Sequence, residues 1–161
     1  MCEEVQMLNG RLVALNRFIS RFTDKYKPFF QALKKNEVDF HWNEECEIAF
    51  QGLKRYLSSP PLLSKPISGE MLFLYLAVSE SAVSGALVHE DEGIQMPVYY
   101  TSHSMNGPQT RYQRLKKLVL ALFIISRRLK HYFQTFLITI LMEHPLRSVI
   151  ENQEATGRIL K

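Results

Sequence analysis

Three strand-length apolar runs that lie close together constrain the fold of this chain more than any other feature. They cover Met71–Val78, 83–89 and 94–101, and the acidic segment 90–93, which ends in glycine, separates the second run from the third. Short apolar runs bounded by turn residues are typical of β-strands, and a short polar connection between two of them is typical of a hairpin. The sequence therefore predicts an antiparallel meander of three strands.

A long helix and a fourth strand follow the meander. Gly107 and Pro108 open a helix in which leucine and isoleucine recur on one face, and residues 136–142 form another apolar run. The order βββαβα predicts a mixed α/β (α+β) fold in which the strand–helix–strand crossover is right-handed and parallel. A last short helix is expected from His144 onward.

The first 66 residues are predicted to be helical. Apolar residues recur at three- and four-residue steps from 5 to 19, which predicts a helix of about five turns. Gly10 inside this helix suggests that another backbone approaches it closely. Asn43 is expected to cap a further helix, in which Cys46 lies on the apolar stripe as a buried free thiol.

The contents of cysteine, histidine and long apolar runs exclude several classes of protein. The chain has 161 residues, with two cysteines and five histidines. No CxxC pair indicates zinc, two cysteines are too few for a disulfide framework, and the histidines are expected at the surface or in turns. No apolar run is long enough to span a membrane, and the N-terminus lacks a signal region. The chain is therefore expected to be intracellular, cytoplasmic or nuclear, without a membrane partner.

The net charge of +4 is distributed unevenly. Residues 1–35 carry seven basic and three acidic groups. Residues 71–107 carry no basic and four acidic groups, and residues 108–161 carry ten basic and three acidic groups. Basic helices on either side of an acidic sheet are compatible with a positive face that binds nucleic acid. The alternative is that these cations only solvate helix surfaces, and the charge pattern alone favours this alternative.

Two sets of stretches, which together cover nearly the whole chain, carry a resemblance to a known family. The first set is 5–12, 16–19, 40–46, 49–50, 53–54 and 60–63, and the second is 77–88, 97–102, 111–112 and 145–147. In the same order, the first set is similar to the reverse transcriptase thumb and connection, and the second to the ribonuclease-H-like domain, of the polyproteins of gypsy-type LTR retrotransposons, those of plants in particular. The resemblance implies a polyprotein fragment with two domains: a helical thumb and connection module, 1–66, and a ribonuclease-H-like module, 67–161, truncated at its C-terminus.

Active members of this family bind Mg²⁺ or Mn²⁺ through four carboxylates. The resemblance places three of these positions at Ala77, Lys116 and Glu143, and the fourth has no counterpart before Lys161. Clustered carboxylates hold the ions in such sites, and an ammonium group there repels them. Glu143 alone is interpreted as a surface or helix-entry residue rather than a metal ligand. The resemblance therefore implies no metal or other cofactor, no catalytic residue and no enzyme activity for the isolated chain.

The predicted function is a non-catalytic connection, or tether, that contacts an RNA–DNA hybrid between a reverse transcriptase palm and a downstream active ribonuclease H or integrase. Residual ribonuclease H activity and an inert domesticated or pseudogene remnant are the alternatives. Because Lys and Arg neutralise phosphates, the candidate contacts are the basic residues of the first and the long helical regions. They are Arg11, Arg17, Arg21, Lys25, Lys27, Arg111, Arg114, Lys117, Arg127, Arg128 and Lys130. Trp42 is interpreted as a packing anchor rather than a base-stacking platform.

Overall fold

The computed structural model describes residues 2–34, 42–59 and 62–143. Its helices are α1 (Cys2–Ala14), α2 (Phe22–Lys25), α3 (Lys27–Lys34), α4 (Glu44–Ser58), α5 (Arg114–Arg128) and α6 (Lys130–Thr135). Its strands are β1 (Met71–Val78), β2 (Ala82–Asp91), β3 (Ile94–Ser104) and β4 (Leu137–Leu141). The helix expected from His144 onward lies outside the described residues. Within the described ranges, no helix is long and apolar enough to cross a membrane.

The four strands form one mixed sheet in the order β3-β2-β1-β4. The first three pair antiparallel, whereas β4 lies parallel to β1, with Leu72 opposite Ile138. Glu92 and Gly93 join β2 to β3 and both have positive φ angles, 49° and 80°, as a two-residue hairpin turn requires. The predicted mixed α/β fold, with its meander and parallel crossover, is confirmed.

The core of the sheet is aliphatic. Alternate residues of β1, Leu72, Leu74 and Leu76, point to the buried face, as the two-residue period of a strand demands. They pack in one cluster with Leu118 and Ile125 of α5. The long helix therefore covers one face of the sheet and places its first turn near the carboxyl end of β1.

A second cluster, rich in aromatic rings, fills the helical region. Phe29 stacks on Tyr26 with ring centroids 5.9 Å apart and on Trp42 at 5.7 Å. The Trp42 ring also meets the edge of Phe50, and its indole Nε1 donates to Glu47 at 2.8 Å. Trp42 is thus a packing anchor, as predicted.

The start of α4 also follows the sequence-based expectation. Asn43 caps the helix, because its side-chain oxygen accepts from the backbone N–H of Cys46 at 2.9 Å. Cys46 is a free thiol and is only 1% exposed. Both predictions are confirmed.

The first helix differs from its prediction in two ways. It ends at Ala14 because the N–H of Leu15 is shared between the carbonyls of Arg11 and Leu12, at 3.2 and 3.1 Å, and the chain tightens into a 3-10 turn. The five-turn prediction is therefore wrong. Gly10 is exposed, and an added Cβ there would meet nothing within 4 Å, so the predicted close approach of a backbone is wrong too.

One histidine departs from the expectation of a surface position. His89 on β2 is buried, with its Nε2 2.7 Å from the hydroxyl of Ser64 and its Nδ1 3.3 Å from a Glu70 carboxylate oxygen. The N–H of Ser64 also donates to the carbonyl of Pro97 on β3 at 2.7 Å. These contacts fasten the segment before β1 onto the sheet.

Polar groups join the helical region to the sheet. The hydroxyl of Thr23 lies 2.9 Å from the hydroxyl of Ser102, which also accepts from the Thr23 N–H at 3.0 Å. The hydroxyl of Ser79 donates to Asp24 at 2.8 Å. The boundary predicted between residues 66 and 67 stays a prediction.

Candidate nucleic-acid interface

A polar cleft of about 500 Å³ lies where the helical region meets β3 and the end of α5. We call it the junction cleft. Two of its lining residues are the cations Lys27 and Arg128, which come from opposite ends of the sequence. Hydroxyl and amide side chains share the lining: Asn16, Thr23, Gln31, Ser81, Ser102, Ser104 and Asn106. None of the described residues that line the cleft is a carboxylate.

Strand β3 holds the guanidinium of Arg128 in place. One of its terminal nitrogens donates to the carbonyl of Ser102 at 2.7 Å and to the hydroxyl of Thr101 at 3.2 Å. The other lies 3.3 Å from Nδ1 of His103. A guanidinium has five N–H donors, so these three contacts leave donors for a ligand.

The charge of Arg128 affects the neighbouring His103. Burial, and then the nearby charge of Arg128, lowers the pKa of His103, so the imidazole is neutral at pH 7 and accepts a hydrogen bond. The ammonium of Lys27 donates to the hydroxyl of Ser81 at 3.3 Å on the opposite wall. The cleft therefore presents two positive charges, of which the Arg128 guanidinium is held by β3, among neutral hydrogen-bonding groups.

A second, more open pocket of about 390 Å³ lies at the carboxyl end of β1, and we call it the β1-end pocket. Its lining is Arg21, Val78, Ser79, Glu80, Arg114 and Lys117. The ammonium of Lys117 donates to the carbonyls of Ser79 and Glu80, at 3.4 and 3.2 Å. Arg114 forms an ion pair with Glu143, just beyond β4, and Arg21 lies 3.6 Å from Asp24.

The three positions that the resemblance equates with metal ligands lie near this pocket but do not form a metal site. Ala77 on β1 is exposed and has no donor atom, and Lys116 on α5 is half-buried. The carboxylate of Glu143 forms an ion pair with Arg114. Divalent cations such as Mg²⁺ bind oxygen ligands, and no group of three or more His, Cys, Asp or Glu within residues 2–34, 42–59 and 62–143 is arranged to hold one. The residues present do not fit a pair of divalent ions.

Lys117 was expected among the solvent-facing cations of the long helix, and that expectation is wrong. The residue is 8% exposed, because α5 packs on the sheet with this side chain against the end of β1. Its role in binding stays a prediction. The rotation of a helix on a sheet cannot be read from spacing alone, so the sequence did not indicate which of the neighbouring lysines Lys116 and Lys117 is buried.

The remaining candidate cations are spread over the surface. Arg11, Arg111, Arg127 and Lys130 are exposed, as are Arg17 and Lys25. Arg17 and Arg127 lie over the rings of Phe18 and Phe123, 4.6 and 5.5 Å from the ring centroids. Burial, and then Arg21, lowers the pKa of Lys25. The structure brings candidates from both basic regions together in two places only within its described part: the junction cleft and the β1-end pocket.

Comparison with known proteins identifies the class of protein to which this chain belongs. Residues 42–140 match the family described as the RNase H-like domain found in reverse transcriptase. The chain belongs to this family. It is 35% identical, over 55% of its length, to the retrovirus-related Pol polyprotein from transposon 412 of Drosophila melanogaster. It is 25% identical, over 98% of its length, to the transposon Tf2-3 polyprotein of Schizosaccharomyces pombe. These relatives support the predicted retrotransposon polyprotein origin.

Solved structures agree on the fold. The foamy viral protease-reverse transcriptase in complex with dsDNA has a TM-score of 0.72 at 18% identity, covering 93% of this chain and 32% of that one. The same protein in complex with an RNA/DNA hybrid also has a TM-score of 0.72 at 18% identity, and this match covers 96% of this chain and 21% of that one. At this identity the likeness concerns the fold alone. The chain spans 7% and 11% of the lengths of the two polyproteins.

The family membership corrects one prediction. The sequence was interpreted as that of a chain that is not an enzyme, yet the family to which it belongs consists of domains of reverse transcriptases, which are enzymes. Replaced residues at Ala77 and Lys116 do not show that the chain is inactive. The conclusion "not an enzyme" is therefore withdrawn.

Proposed function

We propose that this chain is a connection that contacts an RNA–DNA hybrid within a reverse transcriptase polyprotein. It would hold the hybrid between the polymerase palm and a downstream ribonuclease H or integrase and set their separation. The parent would be a gypsy-type element of the plant kind, and hybrid binding itself would need no metal ion or other cofactor.

The junction cleft is the observation that carries the proposal. Lys27 and Arg128 come from the two basic regions, and the fold places them on one cleft without a described carboxylate in its lining. Arg, Lys, Ser, Thr and Asn are the residues that contact phosphate and sugar in nucleic-acid complexes. The foamy viral proteins of the same fold were solved with dsDNA and with an RNA/DNA hybrid, as their titles state.

The test is the affinity of the chain for a labelled RNA–DNA hybrid, measured by fluorescence anisotropy across a salt range. Arg128→Gln should weaken binding about tenfold, since a hydrogen bond to a charged group contributes about 1.5 kcal/mol or more. Lys27→Gln should weaken it less, because its ammonium lies on a flexible stem. Each change should lower the slope of log K against log salt by about one.

Arg55→Gln is the matched control, since Arg55 is an exposed cation in the last turn of α4 and is not among the described residues that line the cleft. It removes the same charge and should change affinity little. Equal losses in Arg55→Gln and Arg128→Gln would refute a specific cleft. The same samples are scored for strand cleavage with Mg²⁺ or Mn²⁺: cleavage that chelator abolishes would replace the connection role with catalysis.

A further inference from the structure

The β1-end pocket has the wrong charge for a cation and a suitable one for an anion. Three of its six lining residues are cationic, Arg21, Arg114 and Lys117, and one, Glu80, is acidic. Two further carboxylates lie beside it, because Asp24 approaches Arg21 and Glu143 pairs with Arg114. The charge available to a ligand in the pocket depends on how strongly Asp24 and Glu143 pair with these two arginines.

Lys117 is the fixed charge of this pocket. It is almost fully buried, and its ammonium contacts two neutral carbonyl oxygens rather than a carboxylate in the described part of the chain. Removing an ammonium from water is costly unless an opposite charge compensates it. An anion in the pocket would supply that charge.

The two arginines are held loosely. The side chains of Arg21 and Arg114 are 62% and 56% exposed, and that of Glu143 is 64% exposed. Exposed ion pairs contribute little and exchange partners readily. Arg114 can therefore turn from Glu143 to a ligand, and a guanidinium binds a phosphate through two parallel hydrogen bonds.

We infer that the β1-end pocket binds a backbone phosphate of the nucleic acid directly, through Arg114 and Lys117, and that Glu143 competes with this phosphate for Arg114. The inference rests on the proposed function, because the phosphate belongs to the bound hybrid.

The experiment measures hybrid affinity without divalent metal, in the presence of chelator, for Glu143→Gln and for its matched control Glu90→Gln. Glu90 is an exposed carboxylate near the hairpin end of β2, so its loss reports only the general effect of one charge. Removing the competitor should tighten binding by about two- to fivefold, the range expected for an exposed pair. Glu90→Gln should change affinity by less than half of that.

Arg114→Gln supplies the second measurement. It should lower the salt slope by about 0.9, the value for one phosphate contact. In the Arg114→Gln background, Glu143→Gln should have no larger effect on affinity than Glu90→Gln. Equal effects of Glu143→Gln and Glu90→Gln, or weaker binding in Glu143→Gln, would overturn the inference.

Inorganic phosphate tests the pocket without a hybrid. It should raise the thermal midpoint of the chain above that in chloride at equal ionic strength, and Arg114→Gln should abolish the difference. If this effect is present but the hybrid does not bind, the proposed function fails and the pocket stands. If the hybrid binds through Lys27 and Arg128 and neither Arg114 nor phosphate has an effect, the pocket alone fails.

Discussion

The two hydrophobic clusters of this chain are built from different residues and meet through polar ones. The helical cluster is a chain of rings running from Phe22 through Tyr26 and Phe29 to Trp42. The buried residues of the sheet cluster are mostly leucine, valine and isoleucine, and its aromatic residues are only partly buried at its edge. The contacts between Thr23 and Ser102 join the two regions instead of a shared core. Each region can therefore close its own core, and the polar seam between them is free to form a cleft for a charged ligand.

The largest expected effect is on the stability of the helical cluster alone. Phe29 is fully buried between Tyr26 and Trp42, so Phe29→Ala should cost about 3–5 kcal/mol of helical stability, the usual loss for a buried aromatic ring. The chain has a single tryptophan, and its emission during urea unfolding reports the helical cluster. Amide hydrogen exchange of β1 and β2 reports the sheet, which should keep its protection.

Phe123→Ala is the control for this change. Phe123 lies on α5 and is 56% exposed, so its removal should cost no more than about 0.5 kcal/mol. Loss of tryptophan emission and of sheet protection at the same urea concentration in Phe29→Ala would contradict the division into two cores.

Replacing glycine by alanine should change the free energy of unfolding in opposite directions in the two regions. A Cβ added at Gly85 on β2 would lie 2.9 Å from Cδ1 of Ile125, so Gly85→Ala should destabilise the chain by about 1–3 kcal/mol. A Cβ at Gly52, in the middle of α4, meets nothing within 4 Å. Gly52→Ala should therefore stabilise by about 0.5–1 kcal/mol, because alanine is the better helix former.

Chemical denaturation of the two variants measures both signs. Ile125→Val removes the clashing Cδ1 and should recover part of the loss in the Gly85→Ala background. No recovery would show that the cost arises from the backbone of β2 rather than from the helix that covers it.

The polar contacts between the two regions should contribute less to the stability of the chain than the packing of either core. Ser102 is buried and contacts both the N–H and the hydroxyl of Thr23, so Thr23→Val and Ser102→Ala should show a coupling of about 0.5–1.5 kcal/mol in a double-mutant cycle. Thr110→Val is the control, since the Thr110 hydroxyl donates only to the nearby carbonyl of Gly107. A coupling near zero would mean that the two regions are joined by other contacts.

Features that depend on local pattern were predictable from the sequence. Strand-length apolar runs predicted the meander, and the turn residues between them predicted the hairpin at Glu92 and Gly93. The cap at Asn43 and the anchor role of Trp42 follow from residue chemistry within one or two turns of chain. These features need no knowledge of distant partners.

Features that depend on distant partners were not predictable. His89 is buried because Ser64 and Glu70 reach it, and Lys117 is buried because α5 packs in one rotation on the sheet. The charge pattern selected Lys27 and Arg128 as candidates, but only the fold places them on one cleft. Ser102 lies in a stretch that carries the family resemblance, but nothing in the sequence indicated that its hydroxyl would line a cleft.

The smallest expected effect concerns pH and the edge of the aromatic cluster. Hydrogen bonds from Gln51, and then from Trp42, hold the pKa of Glu47 below its ordinary value of 4.5. A carboxyl whose pKa is lower in the folded state stabilises the fold above its unfolded pKa, and this contribution is lost as the pH falls through the lower folded value. The emission of Trp42 should therefore change with a midpoint below 4.5, when the indole loses its charged acceptor.

Glu47→Gln should remove this step, whereas Glu44→Gln, at an exposed acid in the same first turn of α4, should leave it. A step that persists in Glu47→Gln would mean that acid unfolds the aromatic cluster as a whole. The tryptophan would then report the stability of the helical core, and the separation of the two cores would have to be measured by hydrogen exchange alone.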